Sequence, residues 1–265
     1  MKGIDISEFQ TNVDYKKLKE DGYEFVIIRC GYGKNSNQKD EMFETHYAGC
    51  KDAGLKVGCY HFSYAKTIEG SNLEAENCLS FIKGKQFDLP VFYDVEDEGT
   101  TGMADKYTLT EMCKTFCNRL MAAGYKAGVY ANLYWFNNKM YVEELQNNYY
   151  IWLAQWNDTM DAHFNVNFWQ YGKGSVNGIS GEVDLDGLLN YEIPHYETTG
   201  IYQNGSTKEY VFADTGLKCY VGCLAAKEKC ECLGIYKNRA IVRYHVDGSV
   251  NNYKIGFVKW LGGVR

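Results

Sequence analysis

The stretch LPVFYDVEDEG, residues 89–99, places four carboxylates within five positions, directly after an apolar run. On an extended strand, residues two apart face the same side, so Asp94 and Glu96 point together. Their Cα atoms are then roughly 6.5–7 Å apart. Two carboxylates this close perturb each other, so that one retains its proton near neutral pH while its partner is ionised. Cleavage of a glycosidic bond needs such a pair: a proton donor, and a negative group beside a cationic transition state.

Two more acids lie in the first and the last of the predicted strands. Asp5 comes from the first strand and Asp184 from the last, and these strands are neighbours if the sheet closes into a barrel. With Asp94 and Glu96 they are the predicted catalytic residues. Polar and aromatic residues at matching strand ends suit a sugar-binding groove, although each aromatic alone is more often a core residue. The predicted substrate-binding residues are Tyr60, His61, Tyr130, Asn132, Trp152, Gln155 and Gln170.

Short apolar runs and segments of helical period alternate through the first 190 residues. Near-continuous hydrophobic strands separated by helices indicate a parallel sheet covered on both faces, and eight of them favour closure into a barrel. In such barrels the functional groups project from the carboxyl ends of the strands, which is where Asp94 and Glu96 occur. The predicted strands are residues 3–6, 24–30, 56–61, 90–95, 127–131, 151–155, 166–171 and 183–187, and the predicted helices are residues 13–20, 39–53, 69–83, 107–123 and 139–147.

The pattern changes after residue 190. Residues 191–200 (YEIPHYETTG) are interpreted as a linker, because they combine a Pro, polar residues and a terminal Gly. Residues 201–265 have short alternating strands and tight turns, which predict a small antiparallel β-barrel. That segment has ten Lys or Arg and five Asp or Glu, a net +5; since the whole chain carries −6, residues 1–200 carry −11. A basic module joined to an acidic domain favours targeting to an anionic surface, the alternative being an ordinary solvated face.

Several other classes of protein are disfavoured. No apolar stretch is long enough for a transmembrane helix, and the dispersed Lys and Arg form no basic stripe for nucleic acid. The segment DVEDEGTTG lacks EF-hand spacing and would leave Asp5 and Asp184 unexplained, so we predict no metal site and no cofactor. The ten cysteines are scattered, several of them in strand-like runs, which favours buried reduced thiols. The spacing of the four from Cys219 to Cys232 matches no common zinc pattern.

Seven motifs, in order along the chain, resemble glycoside hydrolase family 25, the Chalaropsis-type lysozymes. They are GIDISEFQ at the start, YHF at 60–62, YDVE at 93–96, GVYAN at 128–132, WLAQW at 152–156, WQY at 169–171 and VDLDGL at 183–188. The likeness covers residues 1–190. It implies an α/β fold, a flattened TIM-like β/α barrel of eight strands and about five helices. It also implies hydrolysis of the β-1,4 bond between N-acetylmuramic acid and N-acetylglucosamine in peptidoglycan.

The same resemblance implies a role for each acid. Glu96 corresponds to the general acid. Asp94 corresponds either to the group that stabilises an oxazolinium or oxocarbenium-like species or, in another version of the mechanism, to the nucleophile. Asp5 and Asp184 would shape the electric field and position sugar or water. The carboxylate spacing on a strand does not choose between retention and inversion.

Residues 201–265 are similar to the SH3-like wall-binding modules of phage and bacterial lysins, through YQNGSTKEYVFAD, GIYKNRAIVRY and KIGFVKW. A barrel with such a module, and no hydrophobic signal region in MKGIDISEFQ, resembles a phage endolysin. The resemblance then implies Gram-positive peptidoglycan as the partner, synthesis in the host bacterial cytoplasm and release through a holin-type pore. Two alternatives stay open: a catalytically inactive, lectin-like wall-binding protein, and a hydrolase of another N-acetylhexosamine polymer such as chitin. The intact Asp94 and Glu96 disfavour the first, and the basic C-terminal module disfavours the second.

Overall fold

The chain divides into two compact units, Met1–Ile193 and Pro194–Arg265. The structure is a computed structural model that describes residues 1–191, 200–212, 220–236, 239–245 and 253–259. Residues 192–199, which make up most of the predicted linker, lie outside the described residues. Each unit is therefore described by itself.

Eight strands of the first unit close into a barrel in the order of the sequence. Each strand overlaps one of the eight apolar runs, so the prediction of an eight-stranded barrel is confirmed. The strands are β1 (Lys2–Ile6), β2 (Phe25–Tyr32), β3 (Lys56–Phe62), β4 (Val91–Asp94), β5 (Ala127–Asn132), β6 (Tyr150–Ala154), β7 (Phe168–Ser175) and β8 (Glu182–Leu188).

The five predicted helical segments each contain a helix, and one more helix was not predicted. They are α1 (Tyr15–Glu20), α2 (Phe43–Asp52), α3 (Ile68–Phe81), α4 (Lys106–Ala122) and α6 (Val142–Gln146). The additional helix, α5 (Leu133–Asn138), begins directly after β5, where the side chain of Asn132 accepts a hydrogen bond from the Trp135 N–H as its N-cap. A 3₁₀ turn covers Thr101–Met103. None of the described helices is both long and apolar enough to cross a membrane.

The direction of β8 differs from the predicted all-parallel barrel. Strands β1 to β7 pair in parallel, whereas β8 runs antiparallel to both of its neighbours, β7 and β1. The cause is the connection, because only residues 176–181 separate β7 from β8, too few for a crossover helix. Gly178 and Gly181 in this connection have φ angles of +90° and +87°, which let the chain reverse.

Two apolar layers lie on opposite sides of the barrel wall. The inner layer fills the barrel and includes Phe25, Phe92, Trp152 and Phe168, all completely or almost completely buried. The outer layer packs the strands against the helices. Because successive side chains of a strand point to opposite faces, neighbouring residues belong to different layers. This alternation decides which predicted residues reach the barrel mouth.

In the second unit, the described residues form a six-stranded antiparallel sheet in the order β11-β10-β14-β13-β12-β9. Val211, Leu224 and Val258 belong to its buried core. The tight turns predicted in this segment are YKNR (236–239) and VDGS (246–249), and residues 237–238 and 246–249 lie outside the described residues. The strands are β9 (Gly200–Gln203), β10 (Glu209–Phe212), β11 (Tyr220–Leu224), β12 (Lys229–Tyr236), β13 (Arg239–His245) and β14 (Tyr253–Lys259).

Candidate active site

Asp94 and Glu96 lie together where β4 ends. Asp94 is the last residue of the strand and is 4% exposed. Backbone hydrogen bonds from Ser63 N–H to the Asp94 carbonyl (2.8 Å) and from Val95 N–H to the Tyr130 carbonyl (3.3 Å) continue the pairing with both neighbouring strands. The Glu96 N–H donates to the Asp94 carboxylate. The sheet therefore fixes this pair of acids, and a backbone hydrogen bond links one to the other.

The barrel brings three further acids to the same place, from β1 and β8. Asp5 and Asp184 are direct partners in the antiparallel ladder, so their side chains emerge on the same face. Asp184 reaches the mouth from near the start of β8, not from the carboxyl end of a parallel strand as predicted. Asp186, two residues later, shares this face, and its carboxyl group hydrogen-bonds to that of Asp5. Sequence reasoning missed Asp186, although the spacing in VDLDGL could have indicated it.

A pocket of about 440 Å³ opens beside these acids. Glu96 and Asp184 both line it, whereas Asp94 and Asp5 lie below its surface, being 4% and 8% exposed. The pocket therefore presents two of the four predicted acids directly to a ligand. Its lining consists of Glu96, Tyr130, Asn132, Ala154, Trp156, Gln170, Lys173 and Asp184.

Burial and mutual repulsion raise the pKa values of the acids. Burial, and then the charge of Asp184, raise the pKa of Asp5 from 3.8 to about 7, although hydrogen bonds from Gln170 and Asp186 oppose the change. The pKa of Glu96 is raised by burial and by the charge of Asp184. Hence the group of acids retains protons near neutral pH, and Glu96 is one of its members at the pocket surface. A carboxylic acid in that state and position can donate a proton to a ligand.

Arg29 of β2 favours the ionised form of Asp94. Burial raises the pKa of Asp94 well above its usual range, and the charge of Glu96 raises it further, while the Glu96 N–H and the charge of Arg29 act in the opposite direction. The Arg29 guanidinium is held by ion pairs to Glu8 (2.7 Å) and Asp40 (2.8 Å). Sequence reasoning missed Arg29, since nothing local places it near Asp94.

Gln170 of β7 connects the pocket wall to the acids beneath it. Its Nε2 donates to Asp5 Oδ2 (2.9 Å), and its Oε1 accepts from the Tyr130 hydroxyl (3.1 Å) and from Trp156 Nε1 (3.0 Å). Tyr60 is half-buried against Trp152, and burial and then the charge of Asp5 raise the pKa of its phenol well above the usual range. Of the predicted substrate-binding residues, Tyr130, Asn132 and Gln170 line the pocket, whereas Tyr60 does not.

His61 does not lie in the pocket, which corrects its predicted placement. It is completely buried on the face of β3 opposite to Tyr60, with its ring stacked on Phe81 at a centroid distance of 6.3 Å. Since Tyr60 and His61 are adjacent on one strand, only one of them can point into the barrel. His61 belongs to the outer layer.

Trp152 and Gln155 also lie outside the pocket lining, and both serve its structure. Trp152 is 1% exposed inside the barrel, and its Nε1 donates to Asp186 Oδ1 (2.8 Å). The Gln155 side chain accepts from the Asp161 N–H (3.0 Å) and donates to Asp161 Oδ2 (2.6 Å). Trp152 thus supports an acid from below, and Gln155 holds the loop that follows β6.

Three pocket residues were not predicted: Ala154, Trp156 and Lys173. The Trp156 ring is 57% exposed, and the Lys173 ammonium lies 5.2 Å from its centroid. Lys173 pairs opposite Asp184 in the ladder between β7 and β8, with its Nζ 3.6 Å from Asp184 Oδ1. The exposed Trp156 ring therefore gives the pocket one apolar surface, beside the charged groups of Lys173, Glu96 and Asp184. For Trp156 a signal existed, since it ends the WLAQW motif just after β6.

An eight-stranded β/α barrel with paired carboxylic acids in an open pocket at one end of its strands is typical of a glycoside hydrolase. The chain belongs to the glycosyl hydrolases family 25, whose profile matches residues 4–179. This confirms the family indicated by the seven motifs.

Relatives of known name support the assignment. The autolytic lysozyme of Clostridium acetobutylicum is 35% identical over 191 residues, which are 70% of this chain and 55% of that protein. The structure of the CTP1L endolysin is 28% identical, with a TM-score of 0.62 over 71% of this chain and 66% of that one. The chain thus spans less than two thirds of either relative. The spore cortex lytic enzyme SleM of Clostridium perfringens shares the fold over 97% of both chains (TM-score 0.63, 18% identity).

Proposed function

We propose that this chain hydrolyses the β-1,4 bond between N-acetylmuramic acid and N-acetylglucosamine in peptidoglycan. The observation that carries the proposal is the position of Glu96, an acid with a raised pKa at the pocket surface, linked to the buried Asp94. The names of its relatives, an autolytic lysozyme and an endolysin, support the choice of substrate.

In the proposed reaction Glu96 is the general acid. Its carboxyl proton passes to the glycosidic oxygen as the bond from that oxygen to the anomeric carbon breaks, leaving positive charge on the sugar. The resulting Glu96 carboxylate then removes a proton from the water that adds to the anomeric carbon. The carboxyl group returns to its starting state, and no cofactor is needed.

In the proposed reaction Asp94 acts through its charge, in the ionised form that Arg29 and the Glu96 N–H favour against burial and the charge of Glu96. It lies below the pocket lining, with one carboxylate oxygen buried and without a hydrogen-bond partner. A carboxylate in that position stabilises an oxazolinium or oxocarbenium-like species above it, a role that its depth favours over direct attack. The charge of Asp184, after burial, raises the pKa of Glu96 and so favours its protonated form.

The products of wild-type digestion test this proposal. Purified protein is incubated with Gram-positive peptidoglycan, and new reducing ends are measured against new free amines. We expect reducing ends without amines, and borohydride reduction followed by hydrolysis should convert muramic acid, not glucosamine, into its alditol. Tight binding to the wall without reducing ends would contradict hydrolysis and leave a lectin-like protein. New reducing ends that carry glucosamine would show that the protein cleaves the other glycosidic bond, between N-acetylglucosamine and N-acetylmuramic acid.

Residues 201–265 fit the proposal as an SH3-like module that binds the wall. Support comes from the antiparallel sheet of the second unit, from its sequence motifs and from its net charge of +5. We further propose that the protein acts as an endolysin on a Gram-positive wall, after synthesis in the host bacterial cytoplasm and release through a holin-type pore.

Binding of the full chain to purified walls should weaken with salt. Exposed charges are largely screened beyond about 8 Å at physiological ionic strength and beyond about 3 Å at 1 M salt. If the basic module binds an anionic wall polymer, the bound fraction in a sedimentation assay should fall steadily over this range. Binding that does not change with salt would show that the charge of the module does not direct it.

Removing the Trp156 ring should weaken substrate binding. An exposed indole at the pocket edge offers a flat apolar face for a sugar ring. We expect Trp156→Ala to lower kcat/KM roughly tenfold, equivalent to about 1.4 kcal/mol, mainly through KM. Trp156→Phe, which keeps a ring but loses the hydrogen bond to Gln170, should lose less. Tyr134→Ala removes a ring that is 61% exposed outside the pocket and is the matched control. Equal losses in Trp156→Ala and Tyr134→Ala would rule out a specific sugar contact.

A further inference from the structure

A group of three cysteines and one histidine lies outside the acidic pocket, between β2, β3 and α3. Cys30, Cys59, His61 and Cys78 are all completely buried, and we call them the Cys–His cluster. The Cys30 Sγ lies 3.7 Å from the Cys78 Sγ and 4.0 Å from His61 Nδ1. The sulfurs of Cys30 and Cys78 and a ring nitrogen of His61 all lie within 4.8 Å of one another. The Cys59 thiol is within hydrogen-bonding reach of Cys30.

Local structure explains why residues far apart in sequence meet here. Cys59 and His61 are two apart on β3 and therefore share its outer face. Cys30 stands at an irregularity of β2, where the register with β3 shifts between Arg29 and Gly31. Such a bulge re-aims the extra side chain. Cys78 comes from α3, which packs against β2 and whose Phe81 stacks on His61 of β3, so the cluster joins a helix to the barrel wall.

The orientation of His61 matches that of a metal ligand. Its Nε2 lies 2.9 Å from the Gly33 carbonyl, which can only accept, so Nε2 carries the hydrogen. The Nδ1 lone pair is then directed towards the Cys30 sulfur. The ring is held by Phe81 and Phe116, at centroid distances of 6.3 and 5.8 Å. Metal-binding histidines usually donate their second ring N–H to a carbonyl or carboxylate in this way.

The distances are close to those of a tetrahedral site. With Zn–S bonds of about 2.3 Å and Zn–N bonds of about 2.0 Å, two sulfurs lie about 3.8 Å apart and a sulfur and a nitrogen about 3.6 Å apart. The observed 3.7 Å between Cys30 and Cys78 and 4.0 Å between Cys30 and His61 differ from these by a few tenths of an ångström. Cys59, which interacts with Cys30 but is not one of the three residues whose ligand atoms all lie within 4.8 Å of one another, would have to shift its side chain to supply the fourth ligand. Three cysteines with one histidine are a known structural zinc set.

We propose that Cys30, Cys59, His61 and Cys78 bind one zinc-type divalent cation in a closed structural site. The site lies on the face of β3 opposite to Tyr60 and is not part of the acidic pocket. All four ligands are completely buried, so the metal must enter during folding. The sequence prediction of no metal site weighed the segment DVEDEGTTG and the four cysteines from Cys219 to Cys232, and did not consider this combination. The competing states are four reduced thiols without metal and a disulfide between Cys30 and Cys78.

Metal content of the full chain tests the proposal without reference to activity. Protein is expressed with added zinc, desalted and measured by mass spectrometry of the elements; we expect about one zinc per chain. Chelator should not remove it from the folded protein but should do so after unfolding in guanidinium. Cys78→Ala should lose at least tenfold of the bound zinc. Cys50→Ala, the matched control at a buried cysteine of α2 outside the cluster, should retain it.

A second measurement covers the case in which Cys78→Ala fails to fold. Wild-type protein is unfolded, stripped of metal and refolded with Co²⁺, which should give the intense near-ultraviolet band of a thiolate bound to cobalt and visible bands of tetrahedral geometry. Cys78→His, which keeps a ligand atom, should still bind Co²⁺ with a shifted spectrum. Wild-type protein without zinc and without these bands would overturn the proposal, as would equal zinc in Cys78→Ala and Cys50→Ala. An intact mass 2 Da below that of the reduced chain would assign the disulfide instead.

Discussion

Glu96→Gln should lower the rate of glycan cleavage by roughly 10²–10⁴-fold, the usual contribution of a positioned general acid. The replacement is nearly isosteric and keeps the backbone N–H that donates to Asp94, so the site should keep its shape. What it lacks is a proton to give to the leaving oxygen. The measurement is the rate of new reducing ends from peptidoglycan as a function of pH. In wild type the rate should fall as pH rises through the raised pKa of Glu96, because only its protonated form is active.

Glu98→Gln is the control for this experiment. Glu98 lies two residues further along the same loop, where it is exposed, accepts from Trp135 Nε1 (3.0 Å) and pairs with Lys139. It does not line the pocket, so the same chemical change there should alter the rate by no more than about twofold. Wall binding should persist in both variants. Full activity in Glu96→Gln, or equal losses in the two variants, would remove Glu96 from the proposed role.

The features predicted well from the sequence are those with a local cause. Strands β2 to β6 are largely apolar runs, because the inner and outer layers bury both faces of the wall. The proximity of Asp94 and Glu96 follows from their spacing and from the end of β4, and needs no knowledge of the rest of the fold. The eight strands and the central pair of acids were therefore within reach of sequence reasoning.

The features predicted wrongly depend on the phase of a strand or on distant partners. In the motif YHF, Tyr60 and His61 are neighbours on one strand, so only one of them can face the inside of the barrel. An error of one residue in assigning which strand positions face inwards places His61 in the site instead of Tyr60. Trp152 points inwards as predicted, but lies too deep to reach a ligand. The reversal of β8 arises from a short connection, and the contribution of Arg29 depends on ion pairs with Glu8 and Asp40. The Cys–His cluster combines two strands and a helix, so no single spacing in the sequence indicates it.

Asp5→Asn should stabilise the barrel at neutral pH. The Asp5 side chain is 8% exposed, and its folded-state pKa of about 7 is above the ordinary value of 3.8. Between these values the unfolded chain is ionised at this position and the folded chain is protonated. The stability contributed by neutral Asp5 is thus fully present below pH 3.8 and is lost as the pH rises to about 7. Asparagine stays neutral, can still accept from Gln170 and can donate to Asp186, so it avoids this loss.

The size of the effect follows from the pKa difference. Roughly three pKa units at about 1.4 kcal/mol each set an upper limit of about 4 kcal/mol. Because neighbouring carboxyls readjust when one charge is removed, we expect about 1–3 kcal/mol at pH 7, or a rise in Tm of about 3–9 °C. Denaturation followed by tryptophan fluorescence reports mainly on the first unit, which contains four of the five tryptophans.

The pH dependence separates this cause from a simple change in packing. The advantage of Asp5→Asn over wild type should be near zero at pH 3.5 and should grow steadily up to about pH 7, since over this range Asp5 ionises in the unfolded wild-type chain but keeps its proton in the folded one. Asp158→Asn, at an exposed position after β6, should show no such growth. An advantage of the same size at every pH would mean that packing causes it. A variant less stable than wild type at pH 7 would mean that the Asp5 carboxylate is stabilised in the folded barrel. The protons would then be distributed differently among the acids, and this would weaken the proposed explanation of how Glu96 keeps its proton.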